Sequence, residues 1–139
     1  QAYLNTSLDE WTIRLRIIDK TESYITLKSS KNGLVNNEFE YSIPIEDARD
    51  LLNLSKFKIT KTRHHLKINN KNWVVDSFDG SNSSLEIAEI ELNSETEEIQ
   101  IPSWCDSEIT GIKSLSNASL AKTPISQLSI KDRIEDEQF

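Results

Sequence analysis

Thr12-Ile13-Arg14-Leu15-Arg16-Ile17 alternates polar and apolar residues at every step. A period of two marks a strand with one buried and one wet face. Ser23-Tyr24-Ile25-Thr26-Leu27-Lys28 repeats the pattern, and the short Lys20-Thr21-Glu22 link reads as a hairpin connection. A polar loop from Ser29 to Asn37, containing Gly33, leads to a third strand, Glu38-Phe39-Glu40-Tyr41-Ser42-Ile43. The period then changes. Ile45, Ala48, Leu51 and Leu52 recur at spacings of three and four, which predicts an amphipathic helix. Pro44 suits its start, and Glu46 and Asp47 suit its positive end.

Toward the C-terminus, residues 57–68 form a long basic run of β type, and Asn69-Asn70-Lys71 reads as a turn. Trp73-Val74-Val75-Asp76-Ser77-Phe78 predicts a strand closed by Asp79-Gly80, and residues 85–92 predict another. Residues 93–98 suggest a cap and first helical turn, and residues 113–122 a short helix stopped by Pro124. Residues 126–139 read as a terminal helix or an acidic frayed tail, separate from a domain over 1–125. About six strands joined mostly by short turns predict an α+β fold, mainly antiparallel, as a meandering sheet or barrel. The three glycines stand alone, so no glycine-rich phosphate loop is present.

The chain has 139 residues and a net charge of −7. A chain of this size is one ordinary domain that buries roughly two thirds of its unfolded surface. No run approaches the roughly 18–20 apolar residues of a membrane span, and the start, Gln1-Ala2-Tyr3-Leu4, shows no signal-peptide pattern. A cytoplasmic protein without a membrane partner is the expectation. Cys105 is the single cysteine, which excludes an internal disulfide and a multi-cysteine zinc site. It reads as an ordinary small residue near a turn. The acidity is uneven. Residues 1–75 hold 12 Lys and Arg against 9 Asp and Glu; residues 76–139 hold 4 against 14. Such a surface lacks the dense basic face that nucleic-acid binding needs.

Side chains at i and i+2 of a strand point to one face, about 6.5–7 Å apart. Arg14 and Arg16 therefore share a face, as do Glu38 and Glu40, Lys61 and Arg63 (with His65 and Lys67 in line), and Glu89 and Glu91. Lys28 and Asp76 sit singly at strand ends. Wet sheet faces carry charges at this spacing routinely. Here, however, each strand is like-signed, two basic and two acidic, where random wet faces mix signs. Facing one another across a closed sheet, these rows would line a cavity holding both cations and carboxylates. That suits a polyphosphate: Arg and Lys grip its oxygens, while carboxylates hold a bridging Mg²⁺ or Mn²⁺.

The ordered segments just quoted resemble the CYTH superfamily, the triphosphate tunnel metalloenzymes. Tyr3-Leu4 with Ile13-Arg14-Leu15-Arg16, Thr26-Leu27-Lys28-Ser29, Glu38 to Pro44, and Ile59-Thr60-Lys61-Thr62-Arg63 carry the likeness. Trp73 to Phe78, Leu85 to Leu92, Pro102-Ser103-Trp104, Glu108 to Gly111 and Asn117 to Leu120 continue it to about residue 125. The resemblance implies a closed or nearly closed antiparallel barrel that hydrolyses an inorganic or organic triphosphate with Mg²⁺ or Mn²⁺. It implies that Arg14, Arg16, Lys28, Lys61 and Arg63 bind substrate. Lys61 would contact phosphate or assist the leaving group, and Glu38, Glu40, Asp76, Glu89 and Glu91 would supply metal ligands. Lys61 and Glu89 are the catalytic candidates. The nucleophile would be water, so no serine or cysteine nucleophile is required.

The family's N-terminal Glu-x-Glu-x-Lys strand is not in this sequence. Its loss would open a seam in the barrel and remove metal ligands, so an inactive chain is one expectation. His64 stands where the family often has tyrosine, and His64 and His65 read as strand residues rather than ligands of a hard cation. An adenylate cyclase of the same family and a non-catalytic polyphosphate- or nucleotide-binding module stay open beside the triphosphatase. A bland barrel with solvated charges and a homodimer stay open as well.

Overall fold

The computed structural model describes residues 1–4, 11–31 and 34–137. Its contacts gather into two compact units, residues 1–59 and 60–139, each described by itself.

The first unit is a five-stranded sheet and one helix. Its strands are β1 (Ala2–Tyr3), β2 (Trp11–Ile18), β3 (Glu22–Lys31), β4 (Leu34–Ser42) and β5 (Phe57–Lys58), in the order β4-β3-β2-β1-β5. Every ladder is antiparallel. The β2–β3 hairpin closes through Asp19 and Lys20, both at positive φ (50° and 61°), with Thr21 N–H donating to Ile18 O at 3.1 Å. Two successive left-handed residues give a turn whose twist matches that of the strands. The loop expected over residues 29–37 is shorter: both strands run on through residues 29–31 and 34–37, past a bulge between Ser29 and Ser30. Pairing satisfies the backbone there and overrides the polar composition. Gly33 lies outside the described residues.

Helix α1 (Ile45–Leu54) follows Pro44, with Glu46 and Asp47 in its first turn, as the spacing predicts. Its Ala48 packs in a fully buried cluster with Ala2 and Leu15, ringed by Ile17, Ile43, Leu51 and Leu52. Leu15 and Ile17 of β2 thus face the core, which frees Arg14 and Arg16 for the other face. Ser55 ends the helix, its N–H reaching Leu51 O and its hydroxyl donating to Tyr3 O at 3.0 Å.

The basic run over residues 57–68 is not one strand. It divides into β5, which pairs with β1, and β6 (Lys61–Ile68), which opens the second unit. There β6, β7 (Lys71–Phe78) and β8 (Glu86–Ile90) form a three-stranded antiparallel sheet in the order β6-β7-β8. Asn69 and Asn70, at φ 50° and 60°, make the tight turn between β6 and β7. The mainly antiparallel α+β class is as expected. The described strands pair as two open ladders, and these pairings make no closed ring.

Residues 93–98 form no helix. Glu97 turns back on Ser94, and its carboxylate takes Asn93 N–H at 2.6 Å and the Lys71 ammonium. The ion pair with Lys71 ties Glu97 to the start of β7, a tertiary contact that overrides the local helix signal. The expected helix over 113–122 is a 3₁₀ turn at Lys113–Leu115 followed by α2 (Asn117–Lys122), broken where Ser116 caps α2. The C-terminal segment is a helix, α3 (Ile130–Glu137), and not a frayed tail. Ser129 and Asp132 cap it reciprocally. Arg133, 2 % exposed, donates to Ser114 O and Thr123 O, and Glu137 accepts from the Lys113 and Ser114 amides. Among the described residues no helix is long and apolar enough to cross a membrane.

Candidate functional site

The β2–β3 and β3–β4 registers set Arg14 opposite Thr26 and Thr26 opposite Glu40, so the three form one row across the sheet. Lys28 and Glu38 are direct partners one row along, 3.6 Å apart. Arg16 Nη2 donates to both oxygens of Glu40 at 3.3 Å, and Arg14 Nη2 comes within 3.8 Å of the same carboxylate. Tyr24 lies beneath the Arg16 guanidinium, 5.6 Å from ring centre to Cζ. The sequence-predicted residues of this unit are therefore brought onto one face. The Nε–H groups of Arg14 and Arg16 are shielded from water and have no hydrogen-bond partner among the described residues. A buried donor left unpaired costs roughly 1–3 kcal/mol.

The second unit repeats the motif with other residues. Arg63 is the register partner of Asp76, and Lys61 lies two residues along the same face. Asp76 is 1 % exposed. Arg63 grips it with Nε and Nη2 at 2.7 and 2.8 Å, and Lys61 Nζ adds a third hydrogen bond at 2.5 Å. Burial pushes the Asp76 carboxyl up, but the hydrogen bonds from Arg63 and Lys61 more than reverse this and hold it below the usual carboxylate range. Arg63 is correspondingly raised, by its bond to Asp76 against desolvation, with further help from Asp76 and Glu89 charge. Glu89 pairs with Val74 in the β7–β8 ladder, which places it on the Asp76 face. Glu91 does not join it by register, because β8 stops at Ile90. His65 shares the Lys61–Arg63 face and His64 the opposite one.

Basic and acidic rows thus meet laterally, within each sheet. Three carboxylates read from the sequence as metal ligands, Glu38, Glu40 and Asp76, are paired with cations here. All candidate ligands are carboxylate oxygens, which suit Mg²⁺ or Mn²⁺. Yet among the described residues no three His, Cys, Asp or Glu side chains converge closely enough to hold an ion. They do not make up a complete metal centre. A cleft of about 710 Å³ in the second unit, lined by Val75, Ile87, Trp104, Leu115 and Ile134 among others, contains none of the candidate residues.

Thr26 and Tyr24 escaped the sequence reading of the site, since neither is charged. The signal was the hairpin: once Ile18 pairs with Glu22, Arg14 must face Thr26 and Arg16 must face Tyr24.

The sequence as a whole matches the CYTH domain over residues 1–123. The chain belongs to the CYTH family. This CYTH chain is 34 % identical over 126 residues to an inorganic triphosphatase of Acetivibrio thermocellus, covering 89 % of this chain and 80 % of that protein. It also resembles the crystal structure of the hypothetical protein NE1496, with a TM-score of 0.72 and 31 % identity. That likeness covers 86 % of this chain and 81 % of the other.

Proposed function

We propose that this CYTH chain hydrolyses the terminal anhydride of inorganic triphosphate, or of a related organic triphosphate, taken as its Mg²⁺ or Mn²⁺ complex. One observation carries the reading: in each unit two cations share one carboxylate on one face of the sheet, Arg14 and Arg16 at Glu40 and Lys61 and Arg63 at Asp76. Donors held in place beforehand stabilise charge that develops on phosphoryl oxygens without reorganising during the reaction. In this reading Arg14, Arg16, Lys28 and Arg63 take phosphate oxygens. Lys61 offers its proton side to the departing pyrophosphate oxygen. Water adds to the terminal phosphorus, the bridging P–O bond breaks, and pyrophosphate and phosphate leave. Glu38, Glu89 and Glu91 would meet the cation that the substrate brings, since Mg²⁺ is commonly held by one or two carboxylates plus substrate phosphates.

The test is phosphate release from inorganic triphosphate with Mg²⁺ or Mn²⁺. Release with little cyclic AMP formed from ATP supports the triphosphatase. Cyclic AMP formation supports a cyclase, and triphosphate binding without turnover supports a binding module. Glu89→Gln is expected to abolish turnover; retained turnover removes Glu89 from the catalytic set.

A further inference from the structure

Thr26 is fully buried, one of the largest side chains so enclosed, in a row otherwise made of charged residues. Its hydroxyl donates to Glu40 Oε2 at 2.8 Å and accepts from Arg14 Nη2 at 3.4 Å. A hydroxyl has one proton to give and lone pairs to receive, and Thr26 spends both on this row. The same Glu40 carboxylate takes Arg16 through both oxygens. Glu40 itself is only partly covered, with its side chain 35 % exposed, so packing alone does not fix its rotamer. Its shortest hydrogen bond among the described residues, at 2.8 Å, comes from a buried, β-branched residue whose own χ1 is stiff, whereas the two bonds from the longer, more flexible Arg16 are 3.3 Å.

We infer that Thr26 is a positioning residue: its hydroxyl pins Glu40, and Glu40 in turn sets the two guanidinium groups that receive the triphosphate. This rests on the triphosphatase reading and adds to it a residue that touches no substrate. The chemistry is directional. Thr26 donates to Glu40 and accepts from Arg14, so one residue ties the anion to both cations, to Arg14 directly and to Arg16 through Glu40. Glu40, for its part, acts first as an internal anchor for arginines.

The variants are Thr26→Val, which keeps the shape and removes the hydroxyl, and Thr26→Ser, which keeps the hydroxyl and removes the methyl. Each is tested by thermal melting, by kcat and KM for Mg²⁺–triphosphate, and by NMR mobility of the Arg14 and Arg16 Nε groups. In Thr26→Val the expected result is a KM raised roughly tenfold with a smaller change in kcat, and both arginines more mobile. Thr26→Ser should restore KM and mobility even where its melting temperature stays lower. A Thr26→Val protein with wild-type KM and rigid arginines overturns the inference. So does a Thr26→Ser protein as impaired as Thr26→Val, which would make the methyl, not the hydroxyl, responsible. A wild-type protein without turnover refutes the triphosphatase reading instead. Arginine mobility then still decides the positioning claim, and equal mobility in wild type and Thr26→Val overturns it.

Discussion

Replacing Asp76 by Asn tests the second unit's cation pair most directly. The substitution keeps the side chain's shape and removes its charge. The Asp76 side chain is 2 % exposed, that of Lys61 12 % and that of Arg63 46 %. Breaking a buried ion pair by neutralising one partner costs roughly 3–5 kcal/mol, because the other charge stays buried and unpaired. Arg63 is half in water and can rehydrate, so its share falls toward that of a surface pair, about 0–1 kcal/mol. Lys61 has no such escape, and its share is close to the full penalty of a charged donor that has lost its acceptor. The expected loss is therefore about 2–3 kcal/mol, or roughly 6–12 °C in melting temperature for a chain of this size. Circular dichroism melts at pH 7 measure it. Adding Lys61→Met should return part of the loss, since the stranded charge is gone and the stem still packs by the Phe78 ring. A loss under about 2 °C for Asp76→Asn, or strictly additive losses in the double variant, refutes the reasoning.

The same pair sets an acid limit. The folded Asp76 carboxyl is held below its ordinary value. Its contribution is thus present above about pH 4 and is lost as pH falls through the lower folded value. Wild-type melting temperature should drop in that window more steeply than that of Asp76→Asn, and parallel curves would count against it. Leu15→Ala, at a fully buried position, is expected to cost about 2–5 kcal/mol in urea unfolding; under 1 kcal/mol would place the first unit's core elsewhere. Glu137→Gln weakens the acceptor for two amides and should speed hydrogen exchange at Lys113 and Ser114, while exchange in β7 is unchanged.

What the sequence made legible was periodicity. Ile13, Leu15 and Ile17 on one side and Arg14 and Arg16 on the other required a strand with a core face, and the α1 spacing required a helix to cover it. Strand ends were less legible, because a bulge at Ser29 and Ser30 and a break after Lys58 depend on which partner strand is available. Asn93–Glu98 misled for a related reason: Glu97 bonds to Lys71, 26 residues away in the chain, a contact that no local pattern shows. In the site, charge type was legible and pairing was not. The like-signed strands did not show that Arg14 and Arg16 find Glu40, and Lys61 and Arg63 find Asp76, along their own sheets. Register decides that, and register is fixed by turns such as Asp19-Lys20 and Asn69-Asn70.

This lateral pairing has a consequence for the ionic atmosphere of the protein. A row of bare arginines and lysines would gather counter-ions from solution and release them when an anionic ligand arrives, making affinity fall steeply with salt. Here Glu40 and Asp76 occupy that role from within the fold, at distances far shorter than a Debye length of about 8 Å at physiological ionic strength. The two sheets therefore carry their own counter-ions. On the proposed reading, an incoming phosphate would exchange with a fixed carboxylate instead of a diffusing one.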